Sequence, residues 1–338
     1  MRFIRDDHLR AWLDRLAGEY DLVAPRDVDG HLLYRPVESS QNIVFDYERP
    51  ELSAKDFLFP PSETLLRITR QADGVTMEEV LPQRQQVIFG LRPCDARGLL
   101  AIDALFIARE PVDTIYAYHR QRTTLVGLAC PRMWEGCFCT SIGGAPDGTE
   151  GLDLLLTRHD DGYAVQVLSD KGAALAAQMA LEERAGEPPP SERNAASVPL
   201  PPPADWPAWF NDPMWSRHGE RCISCRACTY VCPTCRCFDV TDEVIHADTR
   251  GTLIERVRTW DACTSPNYRR IAGGHNPRAK KPDRIRNRFF CKFHYYPTDF
   301  GPTGCVGCGR CILVCPVNID ITEVLRDVAA HVEGRSSQ

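Results

Sequence analysis

Two short cysteine runs carry the most specific chemistry in this sequence. The first is Cys222-x2-Cys225-x2-Cys228-x3-Cys232-Pro233, and the second is Cys305-x2-Cys308-x2-Cys311-x3-Cys315-Pro316. Three cysteines at intervals of three let one tight loop present three thiolates to a cuboidal iron–sulfur cluster. The fourth, just before a proline, points away and reaches the cluster of the other run. The expected ligand sets are therefore crossed. Cys222, Cys225, Cys228 and Cys315 hold one [4Fe–4S] cluster, and Cys305, Cys308, Cys311 and Cys232 hold a second. Structural zinc also takes four thiolates, but its ligands usually come as separated Cys-x2-Cys pairs. A single run with a trailing Cys-Pro, present twice, is not that layout.

Eight of the 16 cysteines lie outside these runs. Cys94 and Cys130 sit just beyond the C-terminal ends of expected strands, where α/β proteins tend to build sites. Cys137-Phe138-Cys139 lies in a loop that continues through Gly143-Gly144. These four thiols could hold a third [4Fe–4S] cluster. They could equally be buried small apolar residues or a redox-active pair, and no tight local spacing decides. Cys235 and Cys237 follow the first run closely enough to line the same cluster pocket. Cys263 and Cys291 have no nearby ligand-type partner, so structural roles are expected over a further four-cysteine site. His275 could be a ligand or a donor to cluster sulfur, but its glycine-rich surroundings suit a turn.

The totals narrow the class. A length of 338 residues is enough for about two domains. The net charge of −6 gives no support to a nucleic-acid or anionic-membrane role. The start, Met1-Arg2-Phe3-Ile4-Arg5-Asp6-Asp7, has no apolar stretch to act as a signal peptide. Thiolates kept free for metal suit a reducing cytoplasm. The most apolar helix-like stretch, residues 98–108, carries Asp103 and falls well short of the ~18–20 residues needed to span a bilayer. Direct membrane insertion is therefore not expected. One basic stretch, residues 278–288, reads as a solvated face or as a dock for an acidic partner.

No Gly-x-Gly-x-x-Gly joins a strand to a helix, and no Gly-Lys-Ser/Thr motif is present. The chain thus shows no flavin or nicotinamide site of its own and no catalytic residue. Clusters without an organic cofactor imply single-electron transfer between other components.

The expected elements place these cysteines. Leu9, Trp12, Leu13 and Leu16 recur at helical spacing, and extended pieces follow at residues 32–34 and 43–45. Residues 64–69 fit either a strand or a short helix. Gln86–Leu91 reads as a buried strand, followed by a helix over residues 96–107 that Asp95 would cap. Strands are expected at residues 114–117, 124–129, 153–157 and 163–168. This alternation gives an α/β domain over residues 1–185. Residues 186–204 form a proline-rich, semi-rigid linker. Residues 205–338 form a mainly α-helical, two-cluster ferredoxin-like domain. Its helices are expected at residues 250–260 and 321–332, the latter lined by Val324, Leu325, Val328 and Val332. Trp206, Trp209, Phe210 and Trp215 are expected to cover the clusters.

Several stretches also resemble one known family. They are Phe89-Gly90-Leu91-Arg92-Pro93-Cys94-Asp95, Cys137-Phe138-Cys139-Thr140-Ser141 and Cys232-Pro233-Thr234-Cys235-Arg236-Cys237-Phe238-Asp239-Val240. With them go Trp260-Asp261-Ala262-Cys263, Ala272-Gly273-Gly274-His275-Asn276-Pro277-Arg278 and Gly304-Cys305-Val306-Gly307-Cys308-Gly309-Arg310-Cys311. Together they resemble the iron–sulfur (beta) subunits of cytoplasmic NAD(P)-linked [NiFe] hydrogenases, or sulfhydrogenases. The A subunit of anaerobic sulfite reductase looks like the same family. The resemblance implies an electron-transfer subunit between a flavin subunit that handles NAD(P)H and the nickel–iron small and large subunits. The alternative it leaves is the same role in a sulfite reductase or another flavin-linked reductase. It strengthens Cys94, Cys130, Cys137 and Cys139 as ligands and assigns no role to Cys291.

Overall fold

The computed structural model describes residues 1–194 and 197–336, with side chains through residue 330. Its strands in chain order begin with β1 (Arg2–Arg5), β2 (Asp21–Val28), β3 (His31–Pro36), β4 (Ser62–Gln71), β5 (Gly74–Glu79) and β6 (Gln86–Leu91). They continue with β7 (Thr123–Leu128), β8 (Leu154–His159), β9 (Gly162–Val167), β10 (Glu182–Glu183), β11 (Phe238–Asp248) and β12 (Gly251–Trp260). The longer helices are α1 (Asp6–Glu19), α2 (Pro93–Phe106), α3 (Thr114–Arg122), α4 (Asp170–Ala176), α5 (Met214–Arg221), α6 (Lys281–Phe290) and α7 (Ile321–Ser336).

Eight strands form one sheet in the order β10-β1-β9-β8-β7-β6-β2-β3, with β2, β6, β7 and β8 parallel. The period of two decides which face each side chain joins. Val87, Phe89, Val126, Leu128, Leu154 and Leu156 meet Leu9, Trp12, Leu13 and Leu16 of α1 on one face. Ile88, Leu125 and Leu155 meet Ala96, Leu99, Ile102 and Phe106 of α2 on the other. Parallel strands covered on both faces need apolar residues at nearly every position, as Gln86–Leu91 shows. The α/β reading of the first part therefore holds, and so does the helix over α1.

Several local expectations are corrected. Residues 114–117 are not a strand but the start of α3, where the Asp113 side chain accepts a hydrogen bond from Tyr116 N at 2.9 Å. That N-cap outweighs the β-propensity of Thr-Ile-Tyr. Helix α2 begins at Pro93, so Asp95 lies inside its first turn and is not the cap. Its buried carboxylate instead grips Arg310 at 2.7 and 2.8 Å. Residues 64–69 belong to a strand, β4. The extended piece at residues 43–45 follows the 3-10 turn Ser40–Asn42 and joins neither sheet.

The second part combines helices with a long β-hairpin. Residues 250–260, expected as a helix, form β12 within a four-stranded antiparallel sheet ordered β11-β12-β4-β5. Thr252, Ile254, Val257 and Thr259 are β-branched, and cross-strand pairs such as Arg256–Asp242 and Arg67–Glu255 fix the register. This sheet takes strands from both sides of the proline-rich segment. That segment also stays in contact with the body: Met133 N donates to Glu192 O and Val198 N to Ser141 Oγ. Beyond it, Trp206, Trp209 and Trp215 pack with Phe289, Phe290, Phe293 and the Ile321, Val324, Leu325 and Val328 face of α7, next to Cys305. The three tryptophans of the expected aromatic cover are buried here, but Phe210 is exposed; the Val332 side chain lies outside the described residues.

Arg258 of β12 joins the two sheets' layers. Its guanidinium, 1% exposed, meets Glu63 of β4 at 2.6 Å and Asp113 at the start of α3 at 2.5 Å. Arg258→Ala leaves two acidic groups facing each other without their cation. The expected loss is about 3–5 kcal/mol of stability, read by chemical denaturation.

Candidate metal centres

The two cysteine runs fold alike. Ser224 and Gly307 have φ of 58° and 65°, and Arg226 and Gly309 have 69° and 76°. These left-handed residues turn the chain so that successive thiols face inward, ahead of the short helices Ala227–Tyr230 and Arg310–Leu313. In the second run glycine is also required by contact. A Cβ on Gly307 would lie 2.6 Å from the Cys139 backbone, and one on Gly309 2.7 Å from Gly136. The run is thereby pressed against the Cys137–Cys139 loop, with Phe138 N donating to Gly307 O at 2.8 Å.

Each expected ligand set lines one cavity, and Cys311 lines both. Cys222, Cys225, Cys228 and Cys315 line a first cavity of about 530 Å³. It opens to solvent where Cys225 and Ile223 are exposed. Backbone N–H groups of Ser224 and Ile319 donate to Cys222 and Cys315 sulfur at 3.3 and 3.2 Å. Cys232, Cys305, Cys308 and Cys311 line a second, buried cavity of about 290 Å³.

Cys94 and Cys139 line a third cavity of about 590 Å³, outside the carboxyl ends of β6 and β7. Cys130 and Cys137 do not line it, although Cys130 feels the charge of Cys137 and Cys139. Cys137 also accepts from Arg49 Nη1 at 3.3 Å.

These cavities suit a group richer in acceptors than the protein itself supplies. Thr264 Oγ1 in the first and Arg97 Nη1 in the third are buried without a hydrogen-bond partner among the described residues. Cluster sulfide would accept from both. Burial pushes Cys308 up to about 11, Cys139 to about 11 and Cys130 to about 12. Such thiols become thiolates only against a strong positive centre. Among the described residues no three His, Cys, Asp or Glu side chains converge as a single metal ion would require. The thiols are spread around cavities instead.

Buried cations stand behind the sulfurs. Lys292 Nζ donates to Cys232 Sγ at 3.3 Å and Gly304 O at 2.8 Å. Burial works against its charge, but the Cys232 and Cys235 thiolates outweigh burial and push its pKa up. Arg288 donates to Cys228 O at 3.1 Å and lies 3.9 Å from Cys235 sulfur. Lys55 donates to Cys235 O at 2.9 Å and lies over the Trp260 ring. The basic stretch is thus only partly a solvated face, since Arg284 and Arg288 turn inward.

The cavities adjoin. The first and second share Cys311 and Ile321, and the second and third share Val306. The sequence held no sign of this continuity, because Val306 and Ile321 look like ordinary core residues. Cys235 and Cys237 do not line the first cavity as expected, but are gathered elsewhere with Cys263 and Cys291, for which structural roles were expected. Cys235, Cys237, Cys263 and Cys291 line a further cavity of about 1370 Å³ with Arg236, Arg269, Arg270, Arg288 and Lys292. His275 is exposed, and its carbonyl accepts from Ile271 N at 3.0 Å, so it forms a turn.

Comparison with known proteins adds two findings. The family described as a 4Fe-4S dicluster domain matches residues 221–319, so two [4Fe–4S] clusters belong to this part of the chain. The beta subunit of sulfhydrogenase 2 from Pyrococcus furiosus is 30% identical over 347 residues, covering 97% of this chain and 98% of the relative. No solved structure matches.

Lys292→Met removes a positive charge beside the second cavity. A charge at this range in a screened interior is worth about 100 mV for a one-electron couple. The expected outcome is a fall of that order in one cluster's midpoint potential, read by redox titration followed by electron paramagnetic resonance.

Proposed function

Since the chain belongs to the sulfhydrogenase beta-subunit family, we propose that it is the electron-carrying subunit of a hydrogenase complex. The observation that carries this is the row of three adjoining cysteine-lined cavities, each sharing wall residues with the next. When bound, [4Fe–4S] clusters supply single-electron oxidation and reduction at potentials set by charge, hydrogen bonds and solvent access. Cys222, Cys225, Cys228 and Cys315 hold the first, and Cys232, Cys305, Cys308 and Cys311 the second. Cys94, Cys130, Cys137 and Cys139 hold a third. Buried Lys292 and Arg288 offset the negative charge of the thiolates, and the tryptophan and phenylalanine cover excludes water from the middle of the row.

The two outer cavities give the row two ends. The first opens beside Ile223, and the third beside Gly143, Gly144 and Glu150. A flavin subunit that handles NAD(P)H docks at one end and the nickel–iron subunits at the other. The hydrogenase relative favours this over a sulfite reductase. No helix among the described residues is long and apolar enough to cross a membrane. The proposed setting is a cytoplasmic, hetero-oligomeric complex.

Two measurements test this reading. Cys311→Ala lowers iron by about four atoms per chain or converts one cluster, and Cys130→Ser lowers it by about four at the third site. In the purified complex, Cys311→Ala also stops NAD(P)H-driven reduction of the nickel–iron subunits while the flavin is still reduced. Unchanged passage of electrons through the Cys311→Ala complex would refute the proposal.

A further inference from the structure

The cavity that gathers Cys235, Cys237, Cys263 and Cys291 is unused by the row of three. Its thiols come together for a definite structural reason. Strands β11 and β12 form one hairpin, and Phe238 pairs with Trp260 at its base. Cys237 immediately precedes the first strand, and Cys263 lies just beyond the second. The connection is closed by Asp261 N donating to Cys237 O at 2.9 Å. Cys263 and Tyr268 both act on the Cys237 thiol, whereas Cys235 responds first to Cys232 of the second cavity. Cys235 lies two residues before Cys237, and Cys263 feels its charge. A hairpin 23 residues long, from Phe238 to Trp260, thus brings together three thiols that look unrelated in the sequence.

The surroundings repeat what distinguishes the other cysteine cavities. Buried Arg288 and Lys292 stand behind the sulfurs. Arg288 also lines the first cavity, and Lys292 also lines the second. This fourth cavity therefore abuts two members of the row. It is the roomiest of the four, and Arg236, Arg269 and Arg270 rim it against only Asp239 and Asp261.

We propose that Cys235, Cys237 and Cys263 hold a fourth iron–sulfur cluster, set as a branch beside the first and second cavities. Three thiols leave one iron of a cubane without a cysteine ligand, and that iron faces the arginine-rimmed space. The fourth position takes a small anion. Cys291 lines the same cavity but is not a ligand. The proposal goes beyond the three-cluster reading and does not depend on which subunits dock at the row's ends.

The test uses the full chain, reconstituted anaerobically with ferrous iron and sulfide. Iron and acid-labile sulfide are counted per chain, and thiols are mapped by alkylation and mass spectrometry. The wild type is expected to hold about sixteen irons, against about twelve for the C237A/C263A double variant. Cys291→Ala retains the wild-type content. In the iron-loaded wild type, Cys235, Cys237 and Cys263 resist alkylation and become reactive only after the iron is removed. This second measurement decides the matter even if the double variant does not fold. The proposal is overturned if the double variant keeps the wild-type iron, or if Cys291→Ala loses as much as the double variant does. It is also overturned if Cys237 and Cys263 are found alkylated, joined as a disulfide or bound to zinc in the loaded wild type. Cys311→Ala probes the second cluster separately, so failure here is distinguishable from failure of the electron-transfer reading.

Discussion

The structure depends on matching buried positive side chains to cysteine sulfur. Lys55 and Lys292 are 2% and 4% exposed, and Arg288 is 5% exposed. Burying a cation costs several kcal/mol unless an opposite charge or a full set of acceptors meets it. Here the partners are thiol sulfurs and backbone carbonyls of the cysteine loops. A chain designed only for a dry core would place apolar residues at these positions. Their presence makes sense when the cavities beside them carry net negative charge, as thiolate-ligated clusters do. Arg310 is the exception that fits the same logic, since Asp95 rather than sulfur neutralises it.

That pair also shows how the two parts of the chain become one object. Asp95 belongs to α2, directly after the first thiol of the third cavity, and Arg310 directly precedes a thiol of the second. Glycine at 307 and 309 lets the same loop touch the Cys137–Cys139 backbone. Strands β4 and β12 extend this union into a shared sheet. The elements that carry cysteines are therefore fixed to one another by backbone contact, hydrogen-bond ladders and a buried ion pair. Rigid spacing of this kind is what electron passage between fixed centres requires.

The sequence disclosed the chemistry better than the framework. The two [4Fe–4S] clusters were legible because a Cys-x2-Cys-x2-Cys-x3-Cys-Pro run dictates local geometry by itself. The α/β core was legible because Gln86–Leu91 and Leu9 to Leu16 have unambiguous periods. Thr114 to Ala117 misled because three β-prone residues hide a helix whose signal lies one residue earlier, at Asp113. Residues 250–260 misled for another reason. Leu253, Ile254 and Val257 fit a helical face, and only pairing with β4, almost two hundred residues away, makes them a strand. The gathering of Cys237 with Cys263 was invisible for the same cause: it follows from a hairpin that was not expected.

The crossed thiols impose an order on biosynthesis. Cys232 sits at the end of the first run but serves the cavity of the second, and Cys315 does the reverse. Between the runs the ribosome must add the whole β11–β12 hairpin and α6, at about 5–20 residues per second. For several seconds the early thiols are therefore present with neither cage complete. The walls of both cavities are complete only once Cys315 has been added.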